Sequence, residues 1–323
     1  MFADFDFDYA GLIKEIRSRG WEFIAIQAPE GLMRDAVKLS LSFRKEGLHP
    51  VVLVNPCYGA CDLAKPPSGY DGVIHLGHAP FPGQEDAIFL ELPSKADNLK
   101  GLESIADTLP ERLGLVATVQ HLRLLDITKG MLEKHGKEVH VGNPGGRIKH
   151  RGQVLGCNTL AARDVKDDVD AYVFIGSGKF HPGGVAMATG KKVYALDPYS
   201  GQIEKMDSER FLRIRHAVIE KAKGGKRYGV MVSTKTGQMR RGAAGEVMME
   251  LEKNEMEVVL FMGENLPPER FIGLKLDALI STACPRIALD DIANYPFPVI
   301  TPIEARIMLG LEKWENYSLD ELE

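Results

Sequence analysis

One pattern, strand–helix–strand–strand, recurs three times along this chain and constrains its fold more than any other feature. The first copy has an apolar run FIAIQ (23–27), a helical segment GLMRDAVKLSLSFRKEG, then PVVLV (50–54) and GVIHL (72–76). The second has GLVATV (114–119), a helix LRLLDITKGMLEKHG, then EVHVG (138–142) and AYVFIG (171–176). A charged, glycine-rich joint, KGGKR (223–227), precedes the third: YGVMVS (228–233), a helix RRGAAGEVMMELEKN, EVVLFMG (257–263) and DALIST (277–282). Strands alternating with helices at this spacing form parallel βαβ units, and near-continuous apolar strands belong to sheets covered on both faces. A period of about 100 residues is too long for a solenoid repeat. The expected fold is α/β: three similar domains, at 1–110, 111–225 and 226–323, each a small parallel sheet flanked by helices, arranged around a common centre with pseudo-threefold symmetry.

Composition narrows the function classes. Of the 323 residues 44% are hydrophobic and 26% charged, with a net charge of −5. That balance suits a soluble globular protein and gives no basic excess for nucleic acid. There is no apolar run of membrane-spanning length, and the start MFADFDFDYAGL is acidic where a signal peptide is basic. A cytoplasmic location with no membrane or nucleic-acid partner is expected. In that reducing compartment four cysteines are buried thiols, metal ligands or catalytic groups and not a disulfide framework.

Parallel sheets bind ligands at the carboxyl ends of their strands, where loops and helix N-termini gather. The cysteines fall there. Cys57 and Cys61, in NPCYGACDLAK, follow the second strand of the first copy, and Cys157, in LGCNTLAA, follows that of the second. GCNTLAA aligns with ACDLAK, which makes Cys61 and Cys157 equivalent positions; Cys284, in STACPR, follows the last strand of the third copy. Three thiolates meeting from three loops suit a 4Fe-4S cluster with one iron left open. A structural zinc and four unrelated buried thiols are the alternatives on spacing alone. CYGAC lacks the third cysteine of the CxxxCxxC triplet, and the threefold pattern is not an eight-strand barrel.

PEGL after the first strand, YGACD after the second, GCN in the second copy, STKTGQ in the third and ACPRIALDD around Cys284 together resemble the archaeal diphthamide-biosynthesis enzymes, the 2-(3-amino-3-carboxypropyl)histidine synthases, a noncanonical radical-SAM family. The resemblance spans nearly the whole chain. It implies a homodimer of three-domain subunits, each holding a 4Fe-4S cluster through Cys61, Cys157 and Cys284, with Cys57 surplus. It also implies cleavage of the Cγ–S bond of S-adenosylmethionine and release of methylthioadenosine. The 3-amino-3-carboxypropyl radical would add to C2 of a histidine in elongation factor 2, with an electron donor supplying the cluster.

The remaining polar residues at strand ends are read as cofactor contacts from their position on the ligand-binding edge. Ser177, Gly178 and His181, in GSGKFHPGG, form a glycine-rich turn without Walker A spacing. His78 occupies the matching place in the first copy, and Gln27 and Glu30 close its first strand. Ser233 and Gln238 lead into a helix N-terminus that would welcome the methionyl carboxylate, with Arg286 as its partner. Arg286 paired with Asp290 or Asp291 is the plainer alternative. A quinolinate-synthase-like hydro-lyase and a non-enzymatic zinc or cluster-binding protein are the competing functions. The mild acidity points to docking of the protein substrate by shape, through an opening between GHAPFPGQ and GKFHPGG rimmed by Gly83 and Gly183. The first and last segments, FDFDY and WENYSLDELE, read as surface packing or disorder.

Overall fold

A computed structural model describes residues 2–81 and 83–322. Among the described residues thirteen strands form three sheets. The first contains β1 (Phe23–Gln27), β2 (His49–Val52), β3 (Gly72–Leu76) and β4 (Ile88–Leu90) in the order β2-β1-β3-β4. The second contains β5 (Arg112–Ala117), β6 (Glu138–His140), β7 (Ala171–Ile175), β8 (Lys192–Leu196) and β9 (Ile203–Met206) in the order β6-β5-β7-β8-β9. The third contains β10 (Arg227–Ser233), β11 (Glu257–Gly263), β12 (Ala278–Ser281) and β13 (Val299–Ile300) in the order β11-β10-β12-β13. Each sheet thus repeats one order, and every pairing is parallel except β8 with β9.

The centre of each sheet is apolar because helices cover both faces. All five residues of β3, all five of β7 and all four of β12 are buried. In the first unit the helix Met33–Lys45 lays Ala36, Leu39 and Phe43 against β1 and β3. Equivalent contacts come from Leu124–Lys134 in the second unit and Arg241–Lys253 in the third. The helix Ser208–Ala222 precedes the glycine-rich joint, yet its Ile219 and Ala222 belong to the third core. Its Arg215, 1% exposed, makes two hydrogen bonds to Glu304 at 2.7 and 2.6 Å and donates to the carbonyls of Ala288 and Val299. A buried guanidinium is tolerable because its partners are this complete.

Both ends of the described chain are packed. Phe2 joins the first core with Phe7 and Tyr9 packed beside it, and Leu319 and Leu322 are buried. Of the two readings of WENYSLDELE, the described residues 314–322 show packing and not disorder: Leu319 and Leu322 are buried, Glu321 bonds to Thr159 and Arg163 of the second unit, and Asp320 bonds to Arg240 of the third. No helix among the described residues is long and apolar enough to cross a membrane.

Candidate active site between the three sheets

The loop after β2 carries Cys61 on a short turn, Ala60–Asp62, held by Gln27 and Gln84 of its own unit and by residues of the third. Asp62 accepts a 2.7 Å ion pair from Lys235, both side chains almost fully buried, and the Lys235 ammonium lies 5.0 Å over the Tyr58 ring. Gly237 donates its N–H to the Cys61 carbonyl at 3.1 Å. A Cβ on Gly237 would stand 2.4 Å from Cys61 Cα, so the close approach requires glycine. The Gln238 amide donates to Cys61 Sγ at 3.3 Å, and Arg147 of the second unit donates to the Gly237 carbonyl. One loop from each of the first and third sheets and an arginine from the second are thereby locked together.

Cys157 sits in the tight turn Leu155–Asn158, packed under Phe180: a Cβ on Gly156 would collide with that ring. Cys284 follows β12 and opens the short helix Arg286–Leu289. Cys61, Cys157 and Cys284 all line a single cavity of about 170 Å³, and Cys57 does not. All four thiols are free. Burial is the main force raising each of the three. It pushes Cys284 up to about 12, with the Cys61 charge adding to it; Cys157 rises for the same reason, with Cys284 and Cys61 both contributing. Cys61 is also raised, opposed chiefly by the Gln238 N–H. Three thiols raised chiefly by burial, with Cys157 and Cys284 raised further by their neighbours, are suited to deprotonating together only around a cationic centre. That donor set, with an amide N–H already on one sulfur, fits an iron–sulfur cluster.

Two further cavities share walls with this chamber. One, of about 470 Å³, is bordered by Tyr58, Ser233, Lys235, Gln238, Cys284 and Arg286. The other, of about 300 Å³, opens between the first and second units, with His78, Thr118, Gln120, His121, Ser177 and His181 in its wall. His121 is 3% exposed and its Nδ1 has no partner among the described residues. An unpartnered buried nitrogen in a cavity wall is a place for a ligand's polar group.

Most residues singled out from the sequence converge here, with exceptions. His78 and His181 border both the chamber and the 300 Å³ cavity, and Gln238 and Arg286 border both the chamber and the 470 Å³ cavity. Arg286 does pair with Asp290, at 3.0 Å, but through Nε alone. Ser233 is buried in the wall of the 470 Å³ cavity, where its hydroxyl donates to the Glu264 carbonyl at 3.3 Å and accepts from Lys235 N–H at 3.2 Å. Ser177 is exposed and donates to Asp197; Gly178 beside it is exposed and lines none of the three cavities. Glu30 is exposed on the turn after β1 and lines none either, because the turn Glu30–Leu32 carries it outward. Gln27 is not available to a cofactor: its amide donates to the Asp62 carbonyl and accepts from Ala64 N–H and the His75 ring. Gly183 is buried against Phe211 and is no part of a rim.

Lys235, Arg147, His121 and His75 were missed from the sequence. A histidine inside the otherwise apolar strand GVIHL was the available signal for the last. His75, His78 and Cys57 place one ligand atom each within 4.8 Å of one another. The two ring nitrogens are hydrogen-bonded at 2.8 Å, closer than two ligands of one zinc ion stand, so the pair is a hydrogen-bonded dyad.

The model of the family described as putative diphthamide synthesis protein matches residues 28–318. The chain belongs to this family. It is 37% identical over 319 residues, 96% of this chain and 92% of the relative, to the 2-(3-amino-3-carboxypropyl)histidine synthase of Pyrococcus horikoshii. It is 29% identical to subunit 1 of the Schizosaccharomyces pombe enzyme, covering 98% of this chain and 77% of that one. The crystal structure of Dph2 from Pyrococcus horikoshii with a 4Fe-4S cluster superposes with a TM-score of 0.91 at 35% identity, covering 98% and 94% of the two chains. Family membership makes the chain an enzyme of diphthamide synthesis, a transferase, and sets aside the hydro-lyase and non-enzymatic readings.

Proposed function

We propose that the chain transfers the 3-amino-3-carboxypropyl group of S-adenosylmethionine to C2 of a histidine in elongation factor 2, by a radical route on a 4Fe-4S cluster held by Cys61, Cys157 and Cys284. The observation that carries this reading is the meeting of those three free thiols, one from each sheet, in one chamber of a chain of this family. Such a cluster supplies, when bound, a low-potential electron and an iron open to the sulfonium substrate.

The chain's own residues do the rest. Gln238 N–H on Cys61 Sγ orients that thiolate and lowers its charge density. The 470 Å³ cavity takes the cofactor, where the unused Nη groups of Arg286 receive the methionyl carboxylate and Asp290 holds the guanidinium by Nε. Val119, Leu155 and Phe180 give the chamber an apolar wall that limits the water able to quench a carbon radical. The 300 Å³ cavity is the approach for the substrate histidine, with His78 and His181 at the wall it shares with the chamber. In the third unit β11 is an edge strand whose Val259, Leu260 and Met262 are exposed, with Met249 and Ile272 also exposed in that unit; a second copy covering this edge makes the homodimer. An external electron donor completes the system.

The test is anaerobic incubation of iron-loaded protein with S-adenosylmethionine, dithionite and elongation factor 2. Methylthioadenosine release with a mass increase on one histidine is expected; dominant 5′-deoxyadenosine would overturn the reading.

A further inference from the structure

The Gln27 amide cannot be turned over. Its Nε2 donates to the Asp62 carbonyl at 2.7 Å and its Oε1 accepts from Ala64 N–H at 3.0 Å, and a flipped amide would oppose donor to donor and acceptor to acceptor. His75 Nδ1 stands 2.9 Å from that same Oε1 and must carry the proton. Burial holds His75 neutral, at about 3, so its Nε2 is a bare acceptor. His78 Nδ1, 2.8 Å away, donates to it. Burial also holds His78 down to about 4, against the Leu76 carbonyl beside its ring, so His78 too is neutral with its proton on Nδ1. The sequence of bonds from a fixed amide through two imidazoles therefore leaves His78 Nε2 without a proton. Nδ1 is engaged by His75, which leaves Nε2 as the free ring nitrogen of a residue that borders both the chamber and the 300 Å³ cavity.

We propose that His78 is a catalytic base whose Nε2 takes the C2 proton of the substrate histidine, with Gln27 and His75 as the positioning residues that keep that nitrogen bare. The inference rests on the transfer reaction proposed above. Addition of the carbon radical to C2 forms the new C–C bond and leaves an imidazole-centred radical with both hydrogen and carbon on C2. Aromaticity returns when the C–H bond breaks, its proton passing to His78 Nε2 and one electron passing to the oxidised cluster. The electron spent in breaking the Cγ–S bond is thereby returned, and the net products are modified histidine, methylthioadenosine and one proton. His181 borders the same two cavities but has no hydrogen-bonded partner fixing its tautomer among the described residues.

The decisive variant is His78→Gln, which keeps a polar side chain and removes the base. It should load iron normally, and transfer should fall about 100-fold or more, the scale of a lost general base, well beyond any change in methylthioadenosine release. With elongation factor 2 deuterated at histidine C2, a primary isotope effect should appear in the variant and be small in wild type. Nitrogen-15 spectra of the cluster-free protein supply a readout independent of activity: His78 Nδ1 protonated and Nε2 not, with that order lost in Gln27→Met. A proton found on Nε2, equal loss of cleavage and transfer in His78→Gln, or the isotope effect appearing in His181→Gln instead would each overturn the assignment. Absence of methylthioadenosine from wild type would overturn the parent reading and the base with it; methylthioadenosine with unimpaired transfer in His78→Gln would overturn the base alone.

Discussion

Glu321, two residues from the end of the chain, accepts hydrogen bonds from both the backbone N–H and the hydroxyl of Thr159, at 2.5 and 2.7 Å, two residues beyond Cys157. Its other oxygen pairs with Arg163 at 2.8 Å, and the next residue, Leu322, donates its N–H to the Cys157 carbonyl itself. Asp320 anchors the same segment to Arg240 through two bonds of 2.7 and 2.8 Å. The last residues thus clamp a cysteine loop of the second unit to the third.

The clamp should matter to metal retention. Glu321→Ala leaves the Thr159 donors unpaired in a buried setting, at a cost of about 1–3 kcal/mol. The variant should fold, melt a few degrees lower and lose iron faster to a chelator than wild type. Iron content against time checks this; Glu321→Gln, which can still accept from Thr159, should lie between the two. Equal retention in all three proteins would show that the Cys157 loop holds its shape unaided.

The thiols divide three to one. Cys61→Ala, Cys157→Ala and Cys284→Ala should each lose most of their iron from anaerobically purified protein, whereas Cys57→Ala should retain about four irons per chain, as one 4Fe-4S cluster requires. Cys57 is buried, outside the chamber, with burial pushing its thiol up to about 12 and His75 Nε2 4.0 Å away. Gly237→Ala should imitate the Cys61 variant without touching a ligand, because its new Cβ would lie against Cys61 Cα. Full iron in Gly237→Ala would refute the claim that this contact sets the Cys61 loop.

How much of this was legible in the residues alone depends on the range of the interaction. β1, β3, β7, β10 and β12 were readable because a strand buried on both faces must be apolar throughout, and the cysteines were conspicuous in the loops after β2, β6 and β12. β4 and β13, with three and two residues, carry too little sequence to register a period. Thr118 and Val119 continue an apolar run and yet leave the strand, because Val119–His121 turns into a short helix at the chamber wall. Lys235 with Asp62 and Arg147 with Gly237 join residues 173 and 90 positions apart, and no local pattern announces such partners. Gln27 read as a cofactor contact from its place at a strand end; only its three partners reveal that it instead fixes a tautomer.

Four neutral histidines predict an acid-sensitive fold. Burial holds His75 at about 3 and His78, His121 and His181 at about 4, all below their ordinary value of 6.5. The unfolded chain binds protons that the folded chain refuses between those values, so stability is complete above about 6.5 and falls as pH drops toward 4. Each histidine contributes up to about 1.4 kcal/mol per pH unit across that window. Urea midpoints of cluster-free protein between pH 7.5 and 5 measure it. His121→Phe, which removes one of the four, should flatten the slope; an unchanged slope would mean His121 is not kept neutral.

The mouth of the 300 Å³ cavity offers the last test. Its wall includes Gly77 and His78 from the loop GHAPFPGQ and His181 from the loop GKFHPGG, with Ser177 just before the latter. A Cβ on Gly183 would meet Phe211 at 2.9 Å, so a large residue there would unseat the helix Phe180–Thr189 and carry His181 with it. Gly83 has φ of +82°, where any side chain is strained. Ser177 is the better probe: it is exposed, borders the mouth and spends its hydroxyl on a bond to Asp197 at 3.1 Å. Ser177→Phe should narrow the approach without disturbing the thiols, slowing modification of elongation factor 2 about tenfold or more, a loss of about 1.4 kcal/mol in transition-state access, while methylthioadenosine release in the absence of the protein substrate stays near wild type. Equal loss of both activities would place the cofactor, and not the incoming histidine, in this cavity, and the substrate would then have to approach through the 470 Å³ cavity beside Arg286.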